Sequence, residues 1–395
     1  MKCKITGKKI NPFMSFGKMP LANGFLKKKD FPKEFFYNLE IGFSNKLSLF
    51  QINDHPSPPQ MFNKKYPFFT GSSNFMKIHF KNYSNYIKKK ISNGSKLIEI
   101  GSNDGTFLSN FDKKKFDVIG VEPSKNVSDI ARSNGINSIN KFFNRDIIKS
   151  IKNYKHNTNI ICGANVICHI PKLKELIKTI DILLSKNGEF IFEEPYMGSM
   201  FEKTSYDQIY DEHIYMFSCT SIKKIFKLFD LNLINAIPQK THGGSMRYII
   251  SRKKIESKNL IKILDYEKKM NLDNLQSCIN FKKKCEISKK KLNEKINSIK
   301  KSGKSICGYA ATSKSTTILN YCKIGPEKID YICDTTKEKI DKFSPGKHIP
   351  IKSMSYFKKN KPDFVFLLGW NHKKEIFKKE KNFIKKKQWF AHIKI

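Results

Sequence analysis

Hydrophobic and polar positions repeat one arrangement twice along the chain. Residues 96–100 form an apolar run that breaks at Gly101 into five small or polar residues, after which Phe107, Leu108 and Phe111 follow at helix spacing. Residues 305–309 form a second such run, which leads into a turn of small and hydroxyl residues. Strand, glycine-rich turn and helix open a doubly wound α/β fold, which binds ligands outside the carboxyl ends of its strands. The pattern therefore predicts two such units.

The residues after the first turn extend the α/β pattern. Residues 117–122 read as a strand that ends in Glu122, about 20 residues past the turn, where a carboxylate meets a ribose diol in this fold. A strand at 159–166, an amphipathic helix at 173–184 and a strand at 189–192 follow. The sequence predicts a Rossmann-like domain here.

The first turn favours S-adenosylmethionine (SAM) over a dinucleotide. Asn103 stands where a dinucleotide fingerprint has its second glycine, which lets the backbone approach a pyrophosphate. Glu99 and Asp104 place negative charge where a phosphate would lie, whereas SAM carries a sulfonium, an ammonium and no phosphate. We predict a SAM site that also includes Gly101, Gly105 and Glu122.

Composition shifts divide the chain into four regions. We predict a small N-terminal domain at 1–90, a SAM-binding α/β domain at 91–254, connecting helices at 255–301 and a second Rossmann-like domain at 302–395. The fold class is α/β.

The charge balance is strongly basic without indicating nucleic acid. The formal net charge is +40, but only four of the 75 basic residues are arginine. Nucleic-acid readers favour arginine for bidentate and stacking contacts, so we interpret the excess as a solvated lysine surface and predict no nucleic-acid partner. An RNA-binding protein without catalysis is the alternative, and its affinity for random RNA would fall steeply with salt.

Cysteine usage and hydropathy predict a soluble, cytoplasmic protein. The nine cysteines are scattered without a C-x-x-C pair, which is typical of reduced thiols. The N-terminus has no apolar signal core, and the longest apolar run, at 364–370, is far shorter than a membrane span.

Seven motifs together resemble the SAM-dependent deoxysugar C-methyltransferases over nearly the whole length. They are Pro20-Leu21-Ala22-Asn23, residues 99–108, Gly120-Val121-Glu122-Pro123, Asn165-Val166 with His169, residues 210–213, residues 241–247, and the block from Gly308. That family joins a small zinc-binding domain, a central class I methyltransferase domain and a C-terminal Rossmann-like domain. Its members methylate a ring carbon beside the ketone of a nucleotide-activated keto-deoxysugar. The resemblance adds Pro123 and Asn165 to the cofactor site.

The resemblance also implies the catalytic residues. Tyr210, Glu212 and His213 fall at the family's catalytic motif, with His213 as the base. Methylating carbon requires removal of a proton beside a carbonyl, and histidine is neutral enough near pH 7 to accept it. We expect Glu212 to hold the imidazole's tautomer and Tyr210 to donate to the developing enolate oxygen.

The substrate is expected to be a small nucleotide sugar bound to a monomer or homodimer. His242, Gly243, Ser245 and Arg247 lie at a glycine turn, where they either anchor the turn or contact sugar and phosphate. The scarcity of arginine favours contact for Arg247. Lys314, in the second small-residue turn, suits a phosphate.

The sequence departs from the family pattern in three respects. The four zinc-ligand cysteines would fall at Cys3, Thr6, Ser44 and Leu47. Because a structural zinc needs about four ligands, we predict that zinc is absent and that the chain has no metal site. Phe68 stands where relatives often carry a tyrosine, with Tyr66 nearby, and Asp211 replaces a common histidine.

A second enzyme reading keeps SAM and transfers the methyl group to oxygen. That reaction needs no enolate, so a deuterium label on the acceptor's alpha carbon would be retained.

Overall fold

The chain forms three β-sheets in a computed structural model that describes residues 1–64, 66–383 and 385–395. The strands of these residues are β1 (Pro12–Pro20), β2 (Phe36–Ser44), β3 (Leu49–Ile52), β4 (Lys96–Ile100), β5 (Asp117–Val121), β6 (Ser138–Ile139), β7 (Thr158–Ala164), β8 (Leu184–Pro195), β9 (Tyr215–Met216), β10 (Asn232–Gln239), β11 (Ser245–Ser251), β12 (Ile306–Tyr309), β13 (Tyr331–Asp334), β14 (Ile351–Ser353), β15 (Phe364–Leu367) and β16 (Trp389–Phe390). The α-helices are α1 (Pro58–Met61), α2 (Asn74–Lys88), α3 (Lys125–Ser133), α4 (Ile147–Ser150), α5 (Leu173–Leu183), α6 (Met197–Lys203), α7 (Cys219–Lys227), α8 (Lys258–Lys269), α9 (Leu275–Lys301), α10 (Ser313–Tyr321), α11 (Met354–Lys359) and α12 (Lys373–Glu380).

The central sheet has seven strands in the order β10-β11-β8-β7-β4-β5-β6. Strands β4 to β8 run parallel, while β10 and β11 form an antiparallel edge. The parallel strands are apolar because helices cover such a sheet on both faces, as in doubly wound proteins. The predicted α/β class is confirmed.

The C-terminal sheet is fully parallel, in the order β14-β13-β12-β15-β16. Its order reverses beside β12, and such a switch point opens a crevice at the carboxyl ends of the strands. The turn from β12 into α10 lies at that crevice.

The N-terminal residues form an antiparallel sheet, β1-β2-β3, to which β9 of the central region adds a fourth strand. Because β9 joins this sheet, the chain segment after β1 lies close to the loop that precedes β9. Ala22 and Asn23 make hydrogen bonds to that loop.

The helix expected after the first glycine turn does not form. Residues 108–110 make a single 3-10 turn instead. The aromatic side chains at helix spacing pack against a helix that precedes the sheet. The Phe107 ring lies 5.7 Å from Phe80 and 5.0 Å from Tyr83, both on α2. Helix α2, which precedes the sheet in the chain, covers this face.

Long polar helices and buried thiols complete the fold. Helices α8 and α9 lead from the central sheet to the C-terminal one, and α9 spans 27 residues.

All nine cysteines are buried, free thiols. Among the described residues, none of the helices combines the length and apolar character needed to cross a bilayer.

Candidate active site

The carboxyl ends of β4, β5, β12 and β13 open onto one cavity of about 1130 Å³. Pockets for single small ligands measure roughly 300–1,000 Å³, so this one has room for a cofactor and a second molecule. Its lining residues come from all three sheet regions. Those that concern the chemistry are Asn23, Tyr66, Gly101, Asn103, Glu122, Pro123, Asn165, His169, Tyr210, Glu212, His213, His242, Thr312, Ser313, Lys314, Asp334, Lys337 and Lys339.

The turn after β4 is shaped by Gly101 and Glu122. Gly101 has φ +67°, and a Cβ there would lie 2.6 Å from Cγ2 of Val166, so only glycine fits. The Glu122 carboxylate accepts hydrogen bonds from the Asn103 N–H at 3.0 Å and the Ser124 N–H at 2.7 Å. Glu122 therefore fixes the turn and faces the cavity at the same time.

The carboxyl groups at this turn repel one another when they are ionised, and a nearby cation would relieve that repulsion. Burial, with the charges of Asp104 and Glu122 adding to it, raises the pKa of Glu99 well above its usual range. The Oε2 atom of Glu99 and the Oδ1 atom of Asn165 are buried without hydrogen-bond partners. Glu122 and Asn165, which line the cavity, offer a carboxyl group and an unpaired amide oxygen to a ligand with positive charge and polar edges, so the residues present fit SAM.

Three predicted cofactor residues lie outside the cavity lining: Glu99, Asp104 and Gly105. Asp104 accepts the Gly71 N–H at 2.7 Å, and its other oxygen accepts from Thr106. Asn103 likewise accepts the Thr70 N–H at 3.0 Å. These side chains hold the segment around residue 70 against the turn, which corrects the expectation that Asp104 itself faces the ligand.

His213 and Tyr210 form a buried hydrogen-bonded pair. The Nδ1 atom of His213 lies 2.6 Å from the Gln208 carbonyl oxygen, and Nε2 lies 2.8 Å from the Tyr210 hydroxyl. Because a carbonyl oxygen only accepts, Nδ1 carries the proton and Nε2 is the free base, to which Tyr210 donates. Burial, reinforced by the neighbouring His169, holds the pKa of His213 well below its usual range. The imidazole is therefore neutral at physiological pH.

Glu212 does not support His213 as expected. Its Oε1 atom accepts a hydrogen bond of 2.7 Å from the Asn23 side-chain amide, and the Gln208 carbonyl fixes the imidazole tautomer instead. The segment after β1 supplies the Asn23 amide, so the Glu212 carboxyl group has a partner other than the imidazole.

His169 stacks on His213, with ring centroids 5.3 Å apart. Burial lowers the pKa of His169 to about 3, and its Nε2 atom has no hydrogen-bond partner. Potential ligand atoms of Cys168, His169 and His213 lie within 4.8 Å of one another. We assign no metal to this group, because both nitrogens of His213 are already hydrogen-bonded.

The predicted substrate residues divide into two sets. His242 lines the cavity, and its carbonyl oxygen accepts a hydrogen bond of 3.1 Å from the buried Lys314 ammonium. Gly243, outside the lining, has φ +87° and lies where any Cβ would overlap the Trp370 ring. Ser245, also outside the lining, donates to the Thr241 carbonyl at 3.1 Å.

Arg247 lies outside the cavity lining, contrary to the expectation of substrate contact. Its Nε atom donates to Glu193 at 2.7 Å, and its guanidinium lies 4.1 Å from the centre of the Tyr83 ring and 4.8 Å from that of Tyr86. Arg247 forms a buried ion pair between β11 and β8, which the sequence alone does not distinguish from a binding role.

The positions that correspond to zinc ligands converge, but with other side chains. The Thr6 N–H lies 3.5 Å from Cys3 Sγ, and hydrogen bonds from Thr6 and Ser44 counter the effect of burial so that the pKa of Cys3 is lowered. Leu47 is buried in the adjoining turn. One thiol, two hydroxyls and an apolar side chain do not fit a structural zinc site.

Three family models match the chain in tandem. "Putative zinc binding domain" matches residues 3–62, "Methyltransferase domain" matches 79–236, and "C-methyltransferase C-terminal domain" matches 240–393. The three matches follow one another in the order of the predicted architecture, and together they support a SAM-dependent C-methyltransferase. C-methyltransferase NovU of Streptomyces niveus is 26% identical over 377 residues, which cover 94% of this chain and 90% of NovU.

Solved structures resemble part of the chain. A SAM-dependent methyltransferase from Anabaena variabilis is 19% identical, with a TM-score of 0.36, over 46% of this chain and 86% of its own. The YcgJ protein of Bacillus subtilis is 12% identical, with a TM-score of 0.36, over 45% of this chain and 100% of its own.

Sequence reasoning missed several residues that the fold brings to the cavity. Asn23 was recognised within a motif without a role, yet it binds Glu212 across 189 positions of sequence. Asp334, Lys337 and Lys339 also line the cavity. Asp334 ends a predicted strand, as Glu122 does, and that position could have identified it. Lys337 and Lys339 cannot be distinguished in the sequence from its many other lysines.

Proposed function

We propose that this C-methyltransferase acts on a nucleotide-activated keto-deoxysugar and makes an enolate with His213 as the base. The observation that carries the proposal is the shared cavity. It joins the cation-favouring turn at Gly101, the neutral His213–Tyr210 pair and the basic residues near α10. NovU, the similar protein named above, is likewise a C-methyltransferase.

The C-terminal wall supports a nucleotide as the activating group. Asp334 ends β13 and accepts the N–H groups of Ala311 and Thr336, both at 2.7 Å. A carboxylate in this position of a Rossmann-like fold suits a ribose diol. Lys314 is buried and Lys339 is half-buried in the cavity wall, with Lys337 exposed at the rim, and ammonium groups suit the diphosphate.

The pair of His213 and Tyr210 supports proton removal from carbon. A buried, neutral imidazole with an unprotonated Nε2 atom accepts a proton without first losing one. In the proposed reaction the alpha C–H bond breaks, its proton passes to Nε2, and its electron pair becomes the enolate. The Tyr210 hydroxyl, displaced from Nε2, then donates to a substrate oxygen.

The cofactor, when bound, supplies an activated methyl group. The chain's own contribution is to orient the acceptor carbon and exclude water, because positioning supplies much of the rate of a group transfer. Gly101, Asn103, Glu122, Pro123 and Asn165 would hold the cofactor.

The test combines hydrogen exchange with product analysis. With candidate keto-sugar nucleotides in deuterated water, the enzyme should exchange the alpha hydrogen, and mass spectrometry should find one methyl group on carbon. His213→Asn should lose both exchange and methyl transfer by a factor on the order of 10² or more, while it still binds SAM. His156→Asn, the same change at an exposed loop, is the matched control.

Two outcomes would change the proposal. If His213→Asn exchanges the alpha hydrogen normally but transfers no methyl group, His213 only positions the acceptor. The base would then be sought among Tyr66, Tyr210 and His242. Retention of an alpha deuterium in the methylated product would indicate methyl transfer to oxygen.

A further inference from the structure

Asp211 and Glu212 are consecutive acidic residues buried in the loop that carries His213. Their exposed fractions are 2% and 5%, although acidic side chains are seldom buried without a charged partner. Asp211 does not line the cavity, whereas Glu212 does. The two carboxyl groups therefore form an inner and an outer member of one pair.

The hydrogen-bond partners of both carboxyl groups are neutral. Asp211 accepts the backbone N–H groups of Ala22 and Glu212, each at 3.1 Å. Glu212 accepts the Asn23 amide at 2.7 Å. Ala22 and Asn23 belong to the segment after β1, so the N-terminal region completes the pair.

The ionisable groups that face the pair from neighbouring elements are also neutral at physiological pH. They are Tyr37 on β2, Tyr66 before α2, Cys168 after β7, and Tyr210 and His213 in the loop itself. The cavity lysines that are not fully exposed have other acidic neighbours: Lys314 is near Asp207, and Lys339 is near Asp334. In the ranges that the structure describes, neither member of the pair forms an ion pair with a lysine or arginine.

Two adjacent carboxyl groups without a cation do not both ionise, because each negative charge opposes the other in a dry site. Burial raises the pKa of both groups, and the charge of Asp211 raises that of Glu212 further. Two backbone donors stabilise negative charge on Asp211, whereas Glu212 has one amide donor. The geometry therefore favours the proton on Glu212.

We propose that Asp211 and Glu212 share one proton and that Glu212 presents it as an O–H donor to the carbonyl oxygen of the substrate. Asp211 is then a positioning residue, which acts only by keeping Glu212 protonated. This inference rests on the proposed function, and it gives the Glu212 side chain a role in place of support for His213.

The proposed step balances with the groups present. As the alpha C–H bond breaks and its proton passes to Nε2 of His213, the Glu212 proton moves toward the carbonyl oxygen, which carries the enolate charge. The cofactor, when bound, would supply the methyl group and keep the electron pair of the broken sulfur–methyl bond as a neutral thioether. As the new carbon–methyl bond forms, the C=O bond would be restored and the proton would return to Glu212. The proton on His213 leaves to solvent, so one proton is released for each methyl group transferred.

Two variants test the sharing of the proton through the pH profile. Glu212 acts in its protonated form, so activity is present below its pKa and is lost as pH rises through it. Asp211→Asn removes the opposing charge and lowers the pKa of Glu212, so the alkaline limb of kcat should move to lower pH. Glu212→Gln keeps an N–H donor but does not titrate, so it should retain partial activity and lose this limb. If Asp211→Asn changes the rate but leaves the limb in place, Asp211 is merely structural and the proposal is wrong.

Infrared spectroscopy tests the protonation without any substrate. The unliganded enzyme at neutral pH should show a carbonyl band of a protonated carboxyl group that disappears in Glu212→Gln and fades at lower pH in Asp211→Asn. SAM binding by both variants checks their folding. Absence of a Glu212-dependent band overturns the proposal even where sugar methylation is observed. If the band is present but no keto-sugar nucleotide undergoes exchange, the shared proton is supported and the proposed substrate is wrong.

Discussion

The two Rossmann-like units use the same backbone device and opposite charge. In the first, the Gly101 N–H donates to the Val121 carbonyl at 2.8 Å, and Glu122 accepts a turn N–H. In the second, the Ala310 N–H donates to the Cys333 carbonyl at 2.9 Å, and Asp334 accepts the Ala311 N–H. Topology thus fixes where a ligand binds, and the same device occurs at both turns.

Side chains then decide which ligand each unit suits. Carboxyl groups of Glu99, Asp104 and Glu122 surround the first turn, whereas Lys314 and Lys339 lie at the second. A cationic cofactor and an anionic nucleotide can therefore approach one cavity from two walls. A shared strand–turn–helix pattern therefore predicts where a ligand binds better than it predicts which ligand binds.

The largest effect is expected at Gly101, in the first of the two turns, where the backbone has no room for a side chain. Gly101 and Ala310 both have positive φ, at 67° and 72°, and at Gly101 the Val166 side chain leaves no room for a Cβ atom. Gly101→Val should weaken SAM binding by a factor on the order of 10², since left-handed strain costs about 1–3 kcal/mol before the overlap with Val166 is added. Calorimetry with SAM measures it. Ala310→Gly is the matched control and should bind SAM like the parent.

A smaller effect should appear only for the nucleotide sugar. Lys314→Met removes a buried ammonium from the second wall, and hydrogen bonds to charged groups contribute about 1.5–3 kcal/mol. The KM for the nucleotide sugar should rise roughly ten- to a hundredfold, with the SAM affinity unchanged. Lys337→Met, at an exposed position, should change KM less. A parallel loss of SAM affinity would show that the two walls are not separate.

A change at Glu122 should affect the cofactor and not the nucleotide sugar. Glu122→Gln keeps the side-chain shape but removes a negative charge that faces the cofactor wall, so the SAM dissociation constant should rise by about tenfold. The KM for the nucleotide sugar should stay within about twofold. Isothermal titration and steady-state kinetics on one preparation measure both. Equal losses for the two ligands would contradict the division of the cavity by charge.

The smallest effect concerns the N-terminal sheet, which joins both walls through Asn23. Protein made without added metal should contain no stoichiometric zinc by elemental analysis, and Cys3→Ser should leave SAM affinity unchanged. About one zinc per chain, lost in Cys3→Ser, would contradict this. The triple variant Thr6→Cys, Ser44→Cys, Leu47→Cys restores four thiols and should gain zinc, because these positions already converge.

The sequence by itself determined the α/β class and the first turn, because both follow from local order. Gly101 and Glu122 are set by strand and turn patterns within about 20 residues of each other, a range over which periodicity is informative. The same local reasoning failed at residues 107–111, where aromatic side chains at helix spacing pack against α2 instead. Helix spacing alone does not reveal that an upstream helix already covers that face.

Only the tertiary structure decided the partners of the acidic and cationic side chains. Arg247 pairs with Glu193 from a neighbouring strand, Glu212 with Asn23, and Lys314 with the carbonyl of His242. These partners lie 54, 189 and 72 positions away, so no local pattern encodes them. A buried charge takes whatever partner the packing brings within hydrogen-bond distance, because leaving it unpaired costs several kcal/mol. That requirement, which acts only once the chain is folded, moved Arg247 into the core and left Glu212 facing the cavity beside Asp211.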